Sequence, residues 1–331
     1  MKKKFVLTLA LVLIVAATVV AAPVELSGEF KAGYTFGFDP LSITEKMLDG
    51  DYADAAEISV TGDFWSVTFD ALAFTGDSDN AATAKIFLDK ALAEQGMDMG
   101  EVTVTLGIGS KGSLKPADVY TDSNDAVSEL KMLATGNSFD VTIGYGSMVS
   151  AYVGADPTDT TNKPFVLGVT TTPVDGVKAG FGYTNYAEVV DLPLVTSAGI
   201  TGSVTVDVAA LAGLDFGLSL SAIDIYHLER SDNATAVNNL YTELNASYED
   251  VAAWVEYQLL DGTSNLIAKA SYSGIENVGV YGKLTLADLS SITTTIGAGA
   301  SYTMGGVKYA LDASYVVDGA FTLTPSVYIA F

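Results

Sequence analysis

From Pro23 to Phe331, apolar and polar residues alternate with a period of two along most of the chain. That period belongs to β-strands with two chemically different faces; an amphipathic helix repeats every 3.6 residues. Leu26, Gly28, Phe30, Ala32, Tyr34 and Phe36 oppose Glu25, Ser27, Glu29, Lys31 and Thr35. Val251, Ala253, Val255, Tyr257 and Leu259 oppose Ala252, Trp254, Glu256 and Gln258. The final eleven residues do the same, with Phe321, Leu323, Pro325, Val327, Ile329 and Phe331 on one face.

A soluble β-sandwich also alternates, so the surroundings of the pattern decide. The chain is 49% hydrophobic with a mean hydropathy of +0.33. After residue 22, no uninterrupted apolar run approaches the ~20 residues a spanning helix needs. High apolar content without long apolar runs is the product of strands with one face on lipid. The polar faces are dominated by Gly, Ser and Thr, which suit a curved lumen wall. The aromatics gather toward strand ends, among them Phe36, Phe38, Tyr145, Tyr248, Tyr272, Tyr302 and Tyr315, as an interfacial girdle requires.

The N-terminus carries Lys2, Lys3 and Lys4, then an apolar run from Phe5 to Ala17 broken only by Thr8, then Ala21 and Ala22. These are the parts of a secretory signal peptide. Cleavage is expected after Ala21, with Ala22 as the alternative, giving a signal peptide over 1–21 and one barrel domain over 22–331. The run is barely long enough for a retained anchor. With no cysteine in the chain, lipoprotein anchoring and disulfides are excluded. Losing the three lysines takes the formal charge from −24 to −27, so nucleic acid is not an expected partner.

The connections predict a second rhythm. Long polar stretches at about Asp39–Ala53, Thr75–Asn80, Ser110–Ala126, Ala155–Lys163, Asn185–Thr196 and Ser231–Val237 alternate with short turns, at Gly62-Asp63, Thr135–Asn137, Thr172–Gly176, Leu211–Gly213, Glu249-Asp250, Gly274–Glu276 and Met304–Gly306. Such alternation separates outer loops from periplasmic turns. Asp89–Gly100 is long for a turn, and Ala91–Gln95 is expected to form a helical turn there. The fold class is therefore all-β, a transmembrane antiparallel up-and-down barrel of about 18 strands. Sixteen is the alternative if the weak segment near Ala84–Leu88 and one neighbour are not strands.

With signal, alternation, loop rhythm and closing strand together, the chain resembles bacterial outer-membrane porins of the general diffusion type. The resemblance implies an outer-membrane location, membrane lipids as surroundings, and passage of small hydrophilic solutes and ions. It implies that Phe331, Ile329 and Val327 form the signal read by the barrel-assembly machinery; Pro325 departs from the usual β-former there. It implies homotrimers. It also implies a constriction loop after the fifth strand, where Ser110–Ala126 carries Lys111, Lys115, Asp118, Asp122 and Asp125.

Charges on polar strand faces belong in the lumen, because on lipid at mid-membrane each would cost a few kcal/mol. Glu29, Lys31, Asp70, Glu101, Asp140, Lys178, Asp207, Lys269, Lys283 and Asp312 are the candidates. Among polar-face charges, which also include Glu25, Asp215, Glu243, Glu256 and Lys308, acids outnumber lysines ten to five. A mild cation preference follows. Catalysis has little support. His227 is the one histidine and reads as an exposed strand-end or loop residue, so no enzyme, cofactor or metal is expected. Acid pairs such as Asp49 and Asp51, Asp77 and Asp79, or Asp156 and Asp159 lack a full calcium-loop pattern and read as solvated loop charge. The expected function is a passive diffusion pore; the alternative is a barrel-based surface protein or adhesin with no transport role.

Overall fold

The computed structural model describes residues 25–38, 41–45, 56–70, 81–110, 114, 118–123, 132, 137–188, 196–230 and 237–330. The expected signal segment 1–21 and Phe331 lie outside the described residues. In chain order the strands are β1 (Glu25–Phe38), β2 (Leu41–Glu45), β3 (Ala56–Gly62), β4 (Trp65–Asp70), β5 (Ala81–Phe87), β6 (Val102–Ser110), β7 (Asn137–Tyr145), β8 (Val149–Ala155), β9 (Phe165–Val174) and β10 (Val177–Glu188). They continue as β11 (Thr196–Asp207), β12 (Gly217–Arg230), β13 (Val237–Tyr248), β14 (Val251–Leu260), β15 (Thr263–Ile275), β16 (Val278–Ala287), β17 (Thr293–Met304), β18 (Val307–Val316) and β19 (Phe321–Ala330). Two short helices, α1 (Leu88–Ala93) and α2 (Val208–Ala212), lie between β5 and β6 and between β11 and β12.

Every pairing is antiparallel, and the sheet closes on itself through β1 and β19. From β3 onward each strand pairs with its successor, and β3 returns to the first half of β1. β2 pairs with the second half of β1, from Tyr34↔Glu45 to Phe38↔Leu41. Part of the long polar stretch expected after the first strand is thus ladder. Among the described residues the ring of β1 and β3–β19 closes with each strand paired on both sides, the condition for strands in a bilayer.

The two faces read directly off the register. Trp254, Lys269, Lys283, Gly297, Ser314 and Thr322 form one continuous row across β14–β19. One residue along, Val255, Ala268, Leu284, Ile296, Tyr315 and Phe321 form the next, on the opposite face. The apolar face is the exposed one: Val255 is 43% and Ile296 51% exposed, whereas Glu243 and Glu256 are at 0%. That inversion suits lipid outside and polar contents inside. Strands of ten residues such as β14 and β16 have the length a tilted spanning strand needs. Asp224 breaks the rule, for it sits exposed in the outward row of β12 between Gly202 and Leu240.

Tight turns hold one rim, on the same side as the start of β1 and the end of β19: 63–64, 146–148, 175–176, 249–250, 276–277 and 305–306. Both helices lie there too. Asp207 caps α2 by accepting from the Ala210 N–H at 2.9 Å, and Gly213 closes it at φ 64°. On the other rim, beyond β13, no connection exceeds five residues. Asp261-Gly262 and Gly305-Gly306 turn with both residues at positive φ, the geometry that matches strand twist in two-residue hairpins.

The short turn expected at Thr135–Asn137 falls on residues 135 and 136, which lie outside the described residues; Asn137 opens β7. Within the β6–β7 connection Met132 is buried and bridges to Leu114 and to Ala187 of β10.

At the closing seam, Cα partnering is interrupted between Gly33↔Ser326 and Phe36↔Leu323. Pro325 lies in this gap. A proline supplies no N–H to the ladder, and the hydroxyls of Thr35 and Thr324, 3.0 Å apart, bridge the gap by side chains instead. Gly33 has no room for a side chain, because a Cβ there would stand 2.7 Å from the Pro325 carbonyl oxygen.

Candidate constriction inside the barrel

Segment 118–123 leaves β6 and crosses to the polar face of β11–β14, on the far side of the ring. It can bond to those mid-strand side chains only from inside. The Val119 N–H donates to Ser203 Oγ at 3.0 Å, and Thr205 Oγ1 donates to the Val119 carbonyl. Ser123 donates its N–H to Glu243 Oε2 at 3.0 Å and its hydroxyl to Glu243 Oε1 at 2.6 Å. Tyr120 donates its phenol to Glu256 Oε2 at 2.9 Å.

Glu243 and Glu256 are paired positions on β13 and β14, both fully buried. Buried carboxylates are tolerated only when their oxygens find donors. Here Asn245 Nδ2 donates to Glu243 Oε1, and Gln258 Nε2 donates to Glu256 Oε1 at 2.6 Å. Asn265 Nδ2 continues the chain to Gln258 Oε1 at 3.1 Å. Below the tyrosine, Ala187, Ile223, Ile225 and Tyr241 form an apolar cluster against which Tyr120 and Leu260 pack. The segment is therefore fastened by hydroxyl-to-carboxylate bonds above and an apolar seat beneath.

The wall from β15 to β19 is lined differently. Lys269 and Lys283 are directly paired. The Lys269 ammonium lies 4.4 Å from the centre of the Tyr281 ring, and that of Lys283 lies 5.9 Å from the Trp254 ring. Tyr281 donates to Asp312 Oδ1 at 2.6 Å. Across the ring, Lys85 and Asp140 flank Gly107 in register, and a Cβ on Gly107 would run into the Asp140 carboxylate.

In the β6–β7 connection Asp118 and Asp122 are half-buried, and Asp118 caps the Tyr120 N–H at 3.0 Å; Lys111, Lys115 and Asp125 lie outside the described residues. Asp140, Lys269, Lys283 and Asp312 share the inward register, as do Lys178 and Asp207 close to the turn rim. Glu101 is exposed in the turn before β6. Glu29 pairs with Ala330, Lys31 with Tyr328 and Asp70 with Ala81. Val327 and Ile329 lie on the outward row of β19, opposite Ala32 and Phe30.

His227 corrects the sequence reading. It is 1% exposed on the inward face of β12, its Nδ1 lies 2.7 Å from Ser197 Oγ, and Ser197 is itself buried. The spacing is that of a nucleophile and base, but a sealed hydroxyl meets no substrate. Asp156 is 2% exposed and binds the Thr158 and Asp159 N–H groups, while Asp159 binds those of Thr161 and Asn162. Those acids shape the β8–β9 loop. Asp49, Asp51, Asp77 and Asp79 lie outside the described residues. Tyr120, Ser123, Asn245 and Gln258 escaped sequence reasoning, and so did the sealing of Glu243 and Glu256; no local pattern marks partners 120 and 136 residues apart.

A closed antiparallel ring, apolar outside and polar inside, with a connection folded against its inner wall, is the architecture of an outer-membrane β-barrel pore. Neither a family model nor a curated protein matches the sequence. Among solved structures, a mutant of the Rh. blastica porin is similar over 93% of this chain and 100% of its own, at 12% identity and TM-score 0.53. A second mutant of that porin reaches 13% identity and TM-score 0.52 over the same shares. A triple mutant of the Rhodopseudomonas blastica porin gives 13% and 0.50. At such identities the likeness is one of fold, and the fold is that of a porin.

Proposed function

We propose that the protein is a water-filled passive diffusion channel for small hydrophilic solutes and ions in the bacterial outer membrane. The observation that carries this reading is the fastening of segment 118–123 to one inner wall, β11–β14, while the wall from β15 to β19 keeps a polar inward face. Barrels much wider than eight strands are not filled by side chains and leave an aqueous path. The pairings favour eighteen staves, with β2 an appendage of β1.

In this reading residues 1–21 are removed on export and 22–331 form the barrel. Asp118 and Asp122, with Lys111, Lys115 and Asp125, belong to the constriction. Val327, Ile329 and Phe331 serve the assembly machinery. Homotrimers are the expected oligomer. Inward acids such as Asp140, Asp207 and Asp312, with the formal charge of −24, support a mild cation preference; a reversal potential of the opposite sign in a salt gradient would refute that part. Liposomes carrying the protein should swell in sugars at rates that fall with sugar size. Swelling no faster than protein-free liposomes would refute the channel.

A further inference from the structure

We infer that the wall from β16 to β19 carries a recognition hollow for a neutral polyhydroxylated solute, a single sugar ring. The inference rests on the channel reading, which gives the solute its access to that wall.

Three inward rows of the ladder build it. Lys283, Gly297, Ser314 and Thr322 form the central row. Tyr281, Gly299, Asp312 and Thr324 form the row nearer the tight turns, and Thr285 and Thr295 begin the row beyond. At Gly299 a Cβ would collide with the Tyr281 ring and with Asp312, so only glycine lets Tyr281 reach across β17 to that carboxylate. Gly297 is the floor. The nearest atom to a Cβ there would be Lys283 Cβ at 3.4 Å, so a side chain would fit and would fill the space. That space measures ≈ 190 Å³, below the ~300–1,000 Å³ of sites for drug-sized ligands, which suits one ring.

The lining is rich in hydroxyls and balanced in charge. Thr285, Thr295, Ser314 and Thr322 are partly exposed, and their hydroxyls make no hydrogen bond among the described residues. A hydroxyl both donates and accepts, so the four match a solute whose own hydroxyls do the same. Asp312 gives Oδ1 to the Tyr281 phenol at 2.6 Å, and its Oδ2 makes no hydrogen bond among the described residues. A carboxylate oxygen so placed takes a sugar hydroxyl in a charge-assisted bond. Lys283 is no unmatched cation: Glu256 acts on it electrostatically, and Asp312 lines the same hollow. An anionic solute would meet the Asp312 carboxylate, and a cationic one the ammonium groups of Lys283 and its cross-strand partner Lys269. A neutral polyol bonds to hydroxyl, carboxylate and ammonium alike and opposes none of them.

Detergent-solubilised, folded protein is titrated with glucose, glucuronate, glucosamine and glycine at mildly acidic pH, where glucosamine is cationic, and binding is read by saturation-transfer NMR. Glucose is expected to bind saturably and several-fold tighter than the other three. Asp312→Asn, which keeps an acceptor for Tyr281, should weaken glucose by about ten-fold and narrow its margin over glucuronate, a change that a purely structural role would not produce. Gly297→Val should abolish binding by filling the floor, with the heat-modifiable band of the folded barrel unchanged. Absence of saturable glucose binding, any of the other three solutes binding as tightly as glucose, or either variant folded and with unaltered affinity overturns the inference. Because the assay needs no conductance, open channels without binding refute the hollow alone, and binding to a barrel that never conducts refutes the channel alone.

Discussion

The phenol of Tyr120 donates to Glu256 at 2.9 Å across 136 residues of sequence, from the β6–β7 connection to the middle of β14. With the bonds from Ser123 to Glu243 it fastens segment 118–123 to β13 and β14; in the proposed channel that contact would set the free cross-section of the lumen.

Cutting that contact should loosen the connection without unfolding the barrel. A hydrogen bond to a charged or buried acceptor contributes about 1.5–3 kcal/mol, so Tyr120→Phe weakens one fastening and leaves Ser123 in place. The expected result is a noisier open channel of similar mean conductance. Tyr120→Phe with Glu243→Gln should add a clear rise in conductance. Single-channel recordings check both, and traces as quiet as wild type would show that the segment is held by other means.

Neighbouring positions on β16 should respond in opposite ways. Leu284 faces outward, and Thr285 faces the lumen. Leu284→Arg should destabilise the barrel by about 2–4 kcal/mol if it lies at mid-membrane, whereas Thr285→Arg should change stability little and shift ion selectivity toward anions. Urea unfolding in lipid vesicles, paired with reversal potentials, separates the two. By the same logic Asp224→Leu, on the outward row, should stabilise by up to about 1 kcal/mol.

At the seam Gly33 has no room for a side chain. Gly33→Val must push the Pro325 carbonyl and Ser326 aside, an overpacking cost of about 1–3 kcal/mol. A lower melting point of the heat-modifiable band is expected, while Gly202→Val, with nothing within 4 Å of its Cβ, should leave it near wild type.

In the β16–β17 connection, Asp288 takes hydrogen bonds from the hydroxyls of Ser290 and Ser291 and from the Ser290 N–H, and these hold its carboxyl below the ordinary range. Asn162 and Thr161 do the same for Asp159 in the β8–β9 loop. A depressed folded-state value means a contribution that is present above the unfolded value of about 3.9 and is lost as the pH falls through the folded one. Carboxyl NMR titration should place both midpoints below about 3.9; a value at or above it would contradict the bonding described.

The wall was legible in the sequence because each lipid-facing strand states its own alternation. The register of β19 on β1 follows from the same two faces, and turns such as Gly305-Gly306 announce themselves. Three things were not local and were missed. Met132 is buried because it bridges to Ala187, a contact with another strand. His227 reads as polar and exposed, whereas the fold buries it beside Ser197 of the neighbouring strand. Glu243 and Glu256 read as free lumen charge, and only the fold brings Ser123 and Tyr120 onto them. The acid excess counted from sequence therefore overstates the charge that solutes meet.

If the closed ring holds an open aqueous path, purified protein added to a planar lipid bilayer in molar salt will give stepwise, long-lived increases in current that scale with bulk conductivity. A barrel that inserts, as shown by protease protection of its strands, yet passes no current would contradict it.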